Sequence, residues 1–219
     1  MKPDPADFLA AARVPATLAP QRFGLWEIER RWFPAGSAPA RHCGAEQQTA
    51  LRRLSWRSLH SDAGEIVMED SRMELARHLP IFMAARGRVL ISGLGLGCVL
   101  RGLLIKPEVE HVDVVELDPG ILRVVGAEFR GHPRVTLHFG DALTVRWPRA
   151  TAWDFAWHDV WVDGPGLDRL HTRLIGRYHR RCRHQGAWQM PRPVLAALAR
   201  RDIRLLGAPR PPQGRRQAA

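Results

Sequence analysis

The stretch from 87 to 104, GRVLISGLGLGCVLRGLL, constrains the fold more than any other part of the chain. A short, continuous apolar run leads into Gly93, Gly95 and Gly97, and an apolar helical stretch follows from Cys98 to Ile105. Apolar on every side, the first part reads as a strand covered on both faces, which is the habit of a parallel sheet. Three more such runs follow: HVDVVELDP (111–119), 134–139 and WDFAWHDVWVD (153–163), with a helical stretch from Ile121 to Phe129 between the first two. Strands alternating with helices at this spacing imply right-handed crossovers and an α/β fold with a mostly parallel sheet. Ligands of such sheets sit at the carboxyl ends of the strands, where the first strand-to-helix loops open.

The flanks have a different texture. Residues 1–20 mix proline, alanine and scattered charge without periodicity, so a flexible arm is expected there. The segments 24–33, 51–60 and 64–70 have short, strand-like patterns and predict a small N-terminal antiparallel β lobe, with a hairpin turn at 62–64. Met73 to Ala85 predicts a connecting helix with a kink or an end at Pro80. After Gly166, Leu170, Leu174, Tyr178 and Cys182 recur every fourth residue, with Arg169, Arg173, Arg177, Arg180 and Arg181 on the other faces. That pattern predicts an amphipathic helix reaching Cys182, with Tyr178, Gln185 and Trp188 available to wall the cleft. The expected division is an arm (1–20), the β lobe and connecting helix (21–85), the α/β domain (86–190) and a basic extension (191–219). The last part, GAPRPPQGRRQAA, has the composition of a disordered tail.

Charge is unevenly placed. The first 164 residues hold 20 basic and 20 acidic side chains, so the whole net charge of +11 lies in the remainder, with 13 basic and 2 acidic. Such asymmetry points to an anionic partner, nucleic acid among them. Only Lys2 and Lys106 are lysines, however, and a GC-rich genome also yields arginine without any binding role. No apolar run is long enough to span a bilayer, and the opening MKPDPADFLA carries acids where a signal peptide is basic, so a cytoplasmic protein is expected. Cys43, Cys98 and Cys182 form no C-x-x-C pair, and His171, His179 and His184 are not spaced as a metal pair, so no metal is expected.

Gly93, Gly95 and Gly97 follow a strand and open a helix, where the lack of a side chain lets a ligand approach the backbone and the N–H groups of the helix start. The spacing is G-x-G-x-G rather than the G-x-G-x-x-G of a dinucleotide site, which argues against NAD. Glu116 closes the next strand, where a carboxylate can accept hydrogen bonds from both hydroxyls of a ribose. Together these features point to an adenosine-containing cofactor.

The segments ISGLGLGCVLR, VVELDP, FGDAL and WDFAWHD resemble the spermidine synthase-like branch of the class I S-adenosylmethionine-dependent methyltransferase superfamily. The resemblance runs from about Glu65 to Asp163, and the preceding β lobe is similar to that branch as well. It implies a Rossmann-like methyltransferase fold and S-adenosylmethionine as cofactor. Gly93, Gly95 and Gly97 would face the amino-acid part of the cofactor and Glu116 its ribose. Asp141 and Ala142 would receive the adenine, although Asp141 alone reads equally as a helix cap. Asp159 would be the catalytic base or orient the acceptor. His158, its neighbour on an extended strand, would face away, and Trp153 and Trp157 would share one strand face as core residues. Trp161 would be free to stack on a planar acceptor.

Several positions depart from the aminopropyl-transferring members. Leu96 stands where they carry an aspartate, MELARHLP offers His78 without a tyrosine, and the acid after Asp159 is displaced to Asp163. Ile91, in turn, stands where methyltransferases commonly have an acid. A methyltransferase with a small-molecule or anionic acceptor is the first expectation, a divergent polyamine aminopropyltransferase the second. A non-catalytic module that binds nucleic acid through its arginine-rich end is the third.

Overall fold

The computed structural model describes residues 3–37, 40, 49–57, 65–160, 167–189 and 204–206. Expectations for Cys43, the turn at 62–64, Trp161 to Asp163 and nearly all of the extension at 191–219 lie outside them.

Two sheets form. The smaller is antiparallel, in the order β1 (Gln21–Phe23), β2 (Trp26–Phe33), β3 (Thr49–Trp56), β4 (Glu65–Glu69). The larger is a Rossmann-like parallel sheet. It contains β5 (Gly87–Ser92), β6 (Val109–Glu116), β7 (Val135–Phe139), β8 (Trp153–His158) and β9 (Cys182–Ala187), in the order β7-β6-β5-β8-β9. The chain therefore starts in the middle, winds outward on one side and then crosses to the other. That reversal opens a crevice at the carboxyl ends of β5, β6 and β8.

The period-2 pattern sorts the central strands onto two cores. Val89, Ile91, Val112, Val114, Phe155 and Trp157 face one, shared with the helices α3 (Leu79–Ala84) and α4 (Cys98–Leu104) and with Phe23, Ile28 and Leu54 of the small lobe. Leu90, Val115 and Ala156 face the other, with Leu174 and Tyr178 of α6 (Leu167–Tyr178). The helix after β6 is α5 (Pro119–Val124), continued by a 3-10 turn at Gly126–Phe129. Trp153 departs from the expected shared face: it packs in the second core while Trp157 packs in the first. Heading its strand, Trp153 turns its indole N–H to Asp113 Oδ2 at 2.8 Å and sets its ring edge-on to Trp147 and Tyr178.

Three other expectations are corrected. Residues 5–11 are a helix, α1 (Pro5–Ala11), not an arm without structure. Asp4 Oδ1 accepts from the Ala6 and Asp7 N–H groups, and Asp4 N–H donates to Asp7 Oδ2, a reciprocal capping box with Pro5 in the first turn. Phe8 is buried and stacks on Phe82 at 5.6 Å, burial worth about 2 kcal/mol. A seven-residue helix is too short to display a period, so its trace in the sequence was the D-x-x-D cap.

The single helix expected from 73 to 85 is two, α2 (Arg72–Ala76) and α3. Pro80 lies in the first turn of α3, where a missing N–H costs nothing, so the chain breaks before it at Arg77–His78. Last, α6 ends at Tyr178 and Cys182 begins β9. Trp153 N–H takes the Arg181 carbonyl at 2.8 Å and draws the chain onto the edge of β8. The strand CRHQGA hides its buried Gln185 by hydrogen bonds to His158 and to the Ile175 carbonyl, not by apolar alternation.

Candidate functional site

A cavity of about 400 Å³ occupies the crevice, with the small lobe as its far wall. Gly93, Gly95, Glu116, Asp141, Ala142 and Asp159 all line it. Gly97 does not: a Cβ there would meet the Phe129 ring at 2.9 Å and Arg101 Nη2 at 3.3 Å, so this glycine lets the first turn of α4 pack on its own neighbours.

The glycines of the turn differ in what they admit. A Cβ on Gly93 would fall on the Asp159 carbonyl oxygen, and φ there is +92°. Gly93 thus brings the ends of β5 and β8 together, aided by Asp159 N–H donating to the Ser92 carbonyl at 2.8 Å. A Cβ on Gly95 would come within 2.5 Å of Met68 Sδ, so the side chain from β4 lies directly over the turn.

The turn's N–H groups already have acceptors. Gly93 donates to the Val115 carbonyl (2.8 Å), Leu94 to Glu116 Oε2 (2.7 Å), Leu96 to Met68 Sδ (3.1 Å) and Gly97 to the Leu94 carbonyl (2.8 Å). Gly95 N–H also faces Glu116. Of these acceptors only the thioether is weak.

Glu116 Oε1 accepts from Asp118 N–H at 2.8 Å, so with Leu94 and Gly95 three backbone donors hold the carboxylate and leave one of its four acceptor positions open. Burial raises its pKa, and the hydrogen bonds from Asp118 and Leu94 work against that rise. Asp141 lines the cavity, and its Oδ1 accepts from Leu143 N–H at 2.8 Å, which caps a turn where the sequence also allowed a helix. The Ala142 carbonyl accepts from Tyr178 Oη–H at 2.8 Å, which ties the floor of the cavity to α6.

Asp159 follows the last residue of β8. Burial, then the nearby charges of Glu74 and Glu116, push its pKa up to about 7. His158 is no partner to it. Its Nδ1 meets Ser92 Oγ at 2.9 Å, its Nε2 meets Gln185 Oε1 at 3.1 Å, and burial lowers its pKa to about 4.

The sequence reading missed much of the far wall. Trp26 of β2 and Trp56 of β3 line the cavity as an edge-to-face pair at 4.8 Å, with Met68 and Glu74 beside them. Nothing in a strand pattern marks which tryptophans reach a ligand cleft. Trp188 and, from α6, Leu170 and Leu174 also line it, whereas Tyr178 and Gln185 sit behind the wall. Five carboxylates line this space, on Glu74, Glu116, Asp118, Asp141 and Asp159, and no Lys, Arg or His does among the described residues. Among the described residues no group of His, Cys, Asp and Glu is placed to hold a metal, and no helix is long and apolar enough to cross a membrane.

No protein-family model matches the chain. A spermidine synthase of Dictyostelium discoideum is 35% identical over 85 residues, covering 34% of this chain and 29% of that one. Among solved structures, the CcbJ methyltransferase of Streptomyces caelestis is similar at 19% identity over 48% of this chain and 44% of its own, with a TM-score of 0.36. A S-adenosylmethionine-dependent methyltransferase of Clostridium acetobutylicum is similar at 13% identity over 49% and 46%, with a TM-score of 0.37. The chain thus spans less than a third of the curated relative and under half of these two solved chains. The chain is similar to a spermidine synthase in sequence over about a third of its length, and to S-adenosylmethionine-dependent methyltransferases in fold over about half.

Proposed function

We propose that this chain binds S-adenosylmethionine and transfers its methyl group to an acceptor seated against the tryptophan wall. One observation carries the reading: Glu116, Asp141 and Asp159 come from the ends of three different strands and open onto one cavity. The donor set suits the adenosyl part, since Glu116 retains an acceptor position for a hydroxyl and, among the described residues, Asp141 uses only Oδ1 internally. An acidic lining also suits a cationic sulfonium. When bound, S-adenosylmethionine supplies an activated methyl group, so the protein's task is alignment and proton removal. Asp159, titrating near neutrality, accepts the proton that the acceptor releases.

The wall revises the kind of acceptor. An anionic one, which the overall charge suggested, would face five carboxylates here, so an uncharged or cationic acceptor with an apolar body fits better. The remaining support is the resemblance in the glycine turn, the strand-end glutamate and the G-D-A segment.

A second reading, aminopropyl transfer from decarboxylated S-adenosylmethionine, is favoured by one specific feature. The turn's N–H groups are already engaged and no basic side chain lines the cavity among the described residues, so the carboxylate of S-adenosylmethionine must displace Met68 from Leu96 N–H. Calorimetric titration with both ligands tests the ordering. Tighter binding of S-adenosylmethionine, with labelled methyl appearing in a lysate fraction, supports methyl transfer; preference for the decarboxylated ligand overturns it.

A further inference from the structure

We infer that Arg146, Arg177 and Arg181 form a second site, apart from the strand-end cavity, which seats a phosphate of single-stranded nucleic acid. A cavity of about 320 Å³ lies between the turn after β7 and the end of α6, lined by these three arginines together with Val145, Trp147 and Tyr178. Backbone carbonyls fix two of the guanidinium groups. Arg177 Nη2 donates to the Val145 carbonyl, and Arg181 Nη1 donates to the carbonyls of Pro148 (2.9 Å) and Thr151 (2.8 Å). Carbonyls position a cation without neutralising it, and each guanidinium has five N–H donors, so both keep donors to offer.

Some arginines elsewhere are paired with carboxylates and others, such as Arg52 and Arg134, are held by backbone carbonyls; what sets this cluster apart is that three meet at one cavity. Arg53 pairs with Glu69 at 2.5 Å, Arg77 with Glu74 at 2.6 Å, Arg88 with Asp113 at 3.3 Å and Arg101 with Glu128 at 2.7 Å. Arg146, Arg177 and Arg181 have no ion pair with any described carboxylate. A GC-rich genome explains how many arginines a chain has, not why three converge on one cavity with no counter-charge. Guanidinium forks match phosphate oxygens in geometry as well as in sign.

Two features favour a nucleic-acid strand as the source of that phosphate. Arg169, Arg173 and Arg180 are exposed on and just after the same helix, so the positive surface continues beyond one phosphate. Trp147, held by its indole N–H donating to Tyr178 Oη at 3.2 Å, lines the cavity beside the arginines. Arginine next to an aromatic ring is the combination that grips unpaired strands, whose bases are free to stack. The inference does not depend on what the strand-end cavity binds.

The test is fluorescence anisotropy of a labelled oligoribonucleotide against the full chain over a range of NaCl concentrations. The variants are Arg146→Gln with Arg177→Gln, and separately Arg210→Gln with Arg215→Gln and Arg216→Gln. The first pair should weaken binding ~10-fold at low salt and flatten the salt dependence by ~1. It should leave the thermal midpoint and S-adenosylmethionine binding unchanged. In the unaltered protein, ultraviolet crosslinking should map to the peptide that carries Trp147. Loss only in the second set, a crosslink mapping elsewhere or no saturable binding overturns the inference. Tighter binding of a duplex overturns it too, as does binding of inorganic phosphate that an oligomer does not surpass.

Discussion

His78 Nε2 lies 3.8 Å from Asp159 Oδ2, while its Nδ1 accepts the Trp157 indole N–H at 3.2 Å. An indole nitrogen only donates, so the proton of the neutral imidazole must sit on Nε2, the nitrogen that faces the carboxylate. The ring is 1% exposed, and burial, helped by the Arg77 charge, lowers its pKa to about 3. Among the described residues Nε2 has no hydrogen-bond partner, and 3.8 Å is beyond a normal bond. A neutral N–H donor therefore faces the Asp159 carboxylate, and a dipole so placed favours the charged form against the burial and acidic neighbours that raise its pKa.

Asp159 should couple stability to pH in an unusual direction. Its folded pKa is near 7 and its unfolded value near that of free aspartate, so between those limits the folded chain holds a proton that the unfolded chain has lost. Stability from this residue is complete at low pH and lost as pH rises through 7. The side chain is 22% exposed, so the expected loss between pH 4 and 8 is ~2 kcal/mol, less than full burial would give. Urea unfolding across this range should show that Asp159→Asn lacks the loss. Transfer, which needs the carboxylate form, should rise through pH 7 in the unaltered protein and be abolished in the variant. An unchanged pH slope in Asp159→Asn would falsify the assignment.

Removing the His78 donor should make Asp159 harder to ionise. In His78→Phe the carboxyl midpoint, read by NMR of carboxyl-labelled aspartate, should move upward, and the limb of activity that tracks it should move the same way. His78→Gln, with an N–H near the position of Nε2, should restore both. A purely structural role for His78 predicts lower stability in both variants with no movement of the midpoint.

How much of this was legible in the sequence depends on the range over which each interaction acts. The parallel sheet followed from β5, β6 and β8 because apolar runs and the glycine turn are local signals that central burial reinforces, whereas the strand order was not legible. Glu116 was placed by its position at a strand end, and Asp141 and Asp159 by the family resemblance; all three line one cavity. The far wall was not legible. Trp26, Trp56 and Met68 reach the cavity only because the antiparallel lobe folds over it, a tertiary fact with no counterpart in a short-range pattern. β9 was hidden for another reason: a buried strand that satisfies Gln185 by hydrogen bonds has no apolar period to read. Gly97 was assigned to the ligand by its place in the strand-to-helix turn and by the resemblance, whereas the space beside it belongs to Phe129.

Met68 should compete with the bound ligand for Leu96 N–H. Its sulfur is a weak acceptor, so Met68→Leu keeps the bulk over Gly95 and gives up a hydrogen bond worth ~0.5 kcal/mol in the free protein. Leu96 N–H then waits for an acceptor, and a ligand that brings a carboxylate gains what it no longer loses in displacing the sulfur. Calorimetry should show S-adenosylmethionine binding about twofold tighter in the variant, a factor that follows from ~0.5 kcal/mol. The decarboxylated ligand should show no gain. Equal effects on both ligands would mean that the thioether and the carboxylate do not share this donor.

Gly93 should be the least replaceable glycine of the turn, for a reason that lies within the protein and not in any ligand. Its φ of +92° is already unfavourable for a side chain, and the added Cβ would meet a backbone carbonyl, that of Asp159, which cannot rotate away as a side-chain tip can. Gly131 also has a positive φ, +76°, but nothing lies within 4 Å of a Cβ there. Gly131→Ala therefore isolates the conformational cost, ~1 kcal/mol. Gly93→Ala adds separation of β5 from β8 and should exceed ~3 kcal/mol or prevent folding. Urea midpoints of the two variants measured side by side decide the matter, because equal losses would show that the ends of these strands do not approach as closely as the Asp159 N–H to Ser92 carbonyl distance of 2.8 Å requires.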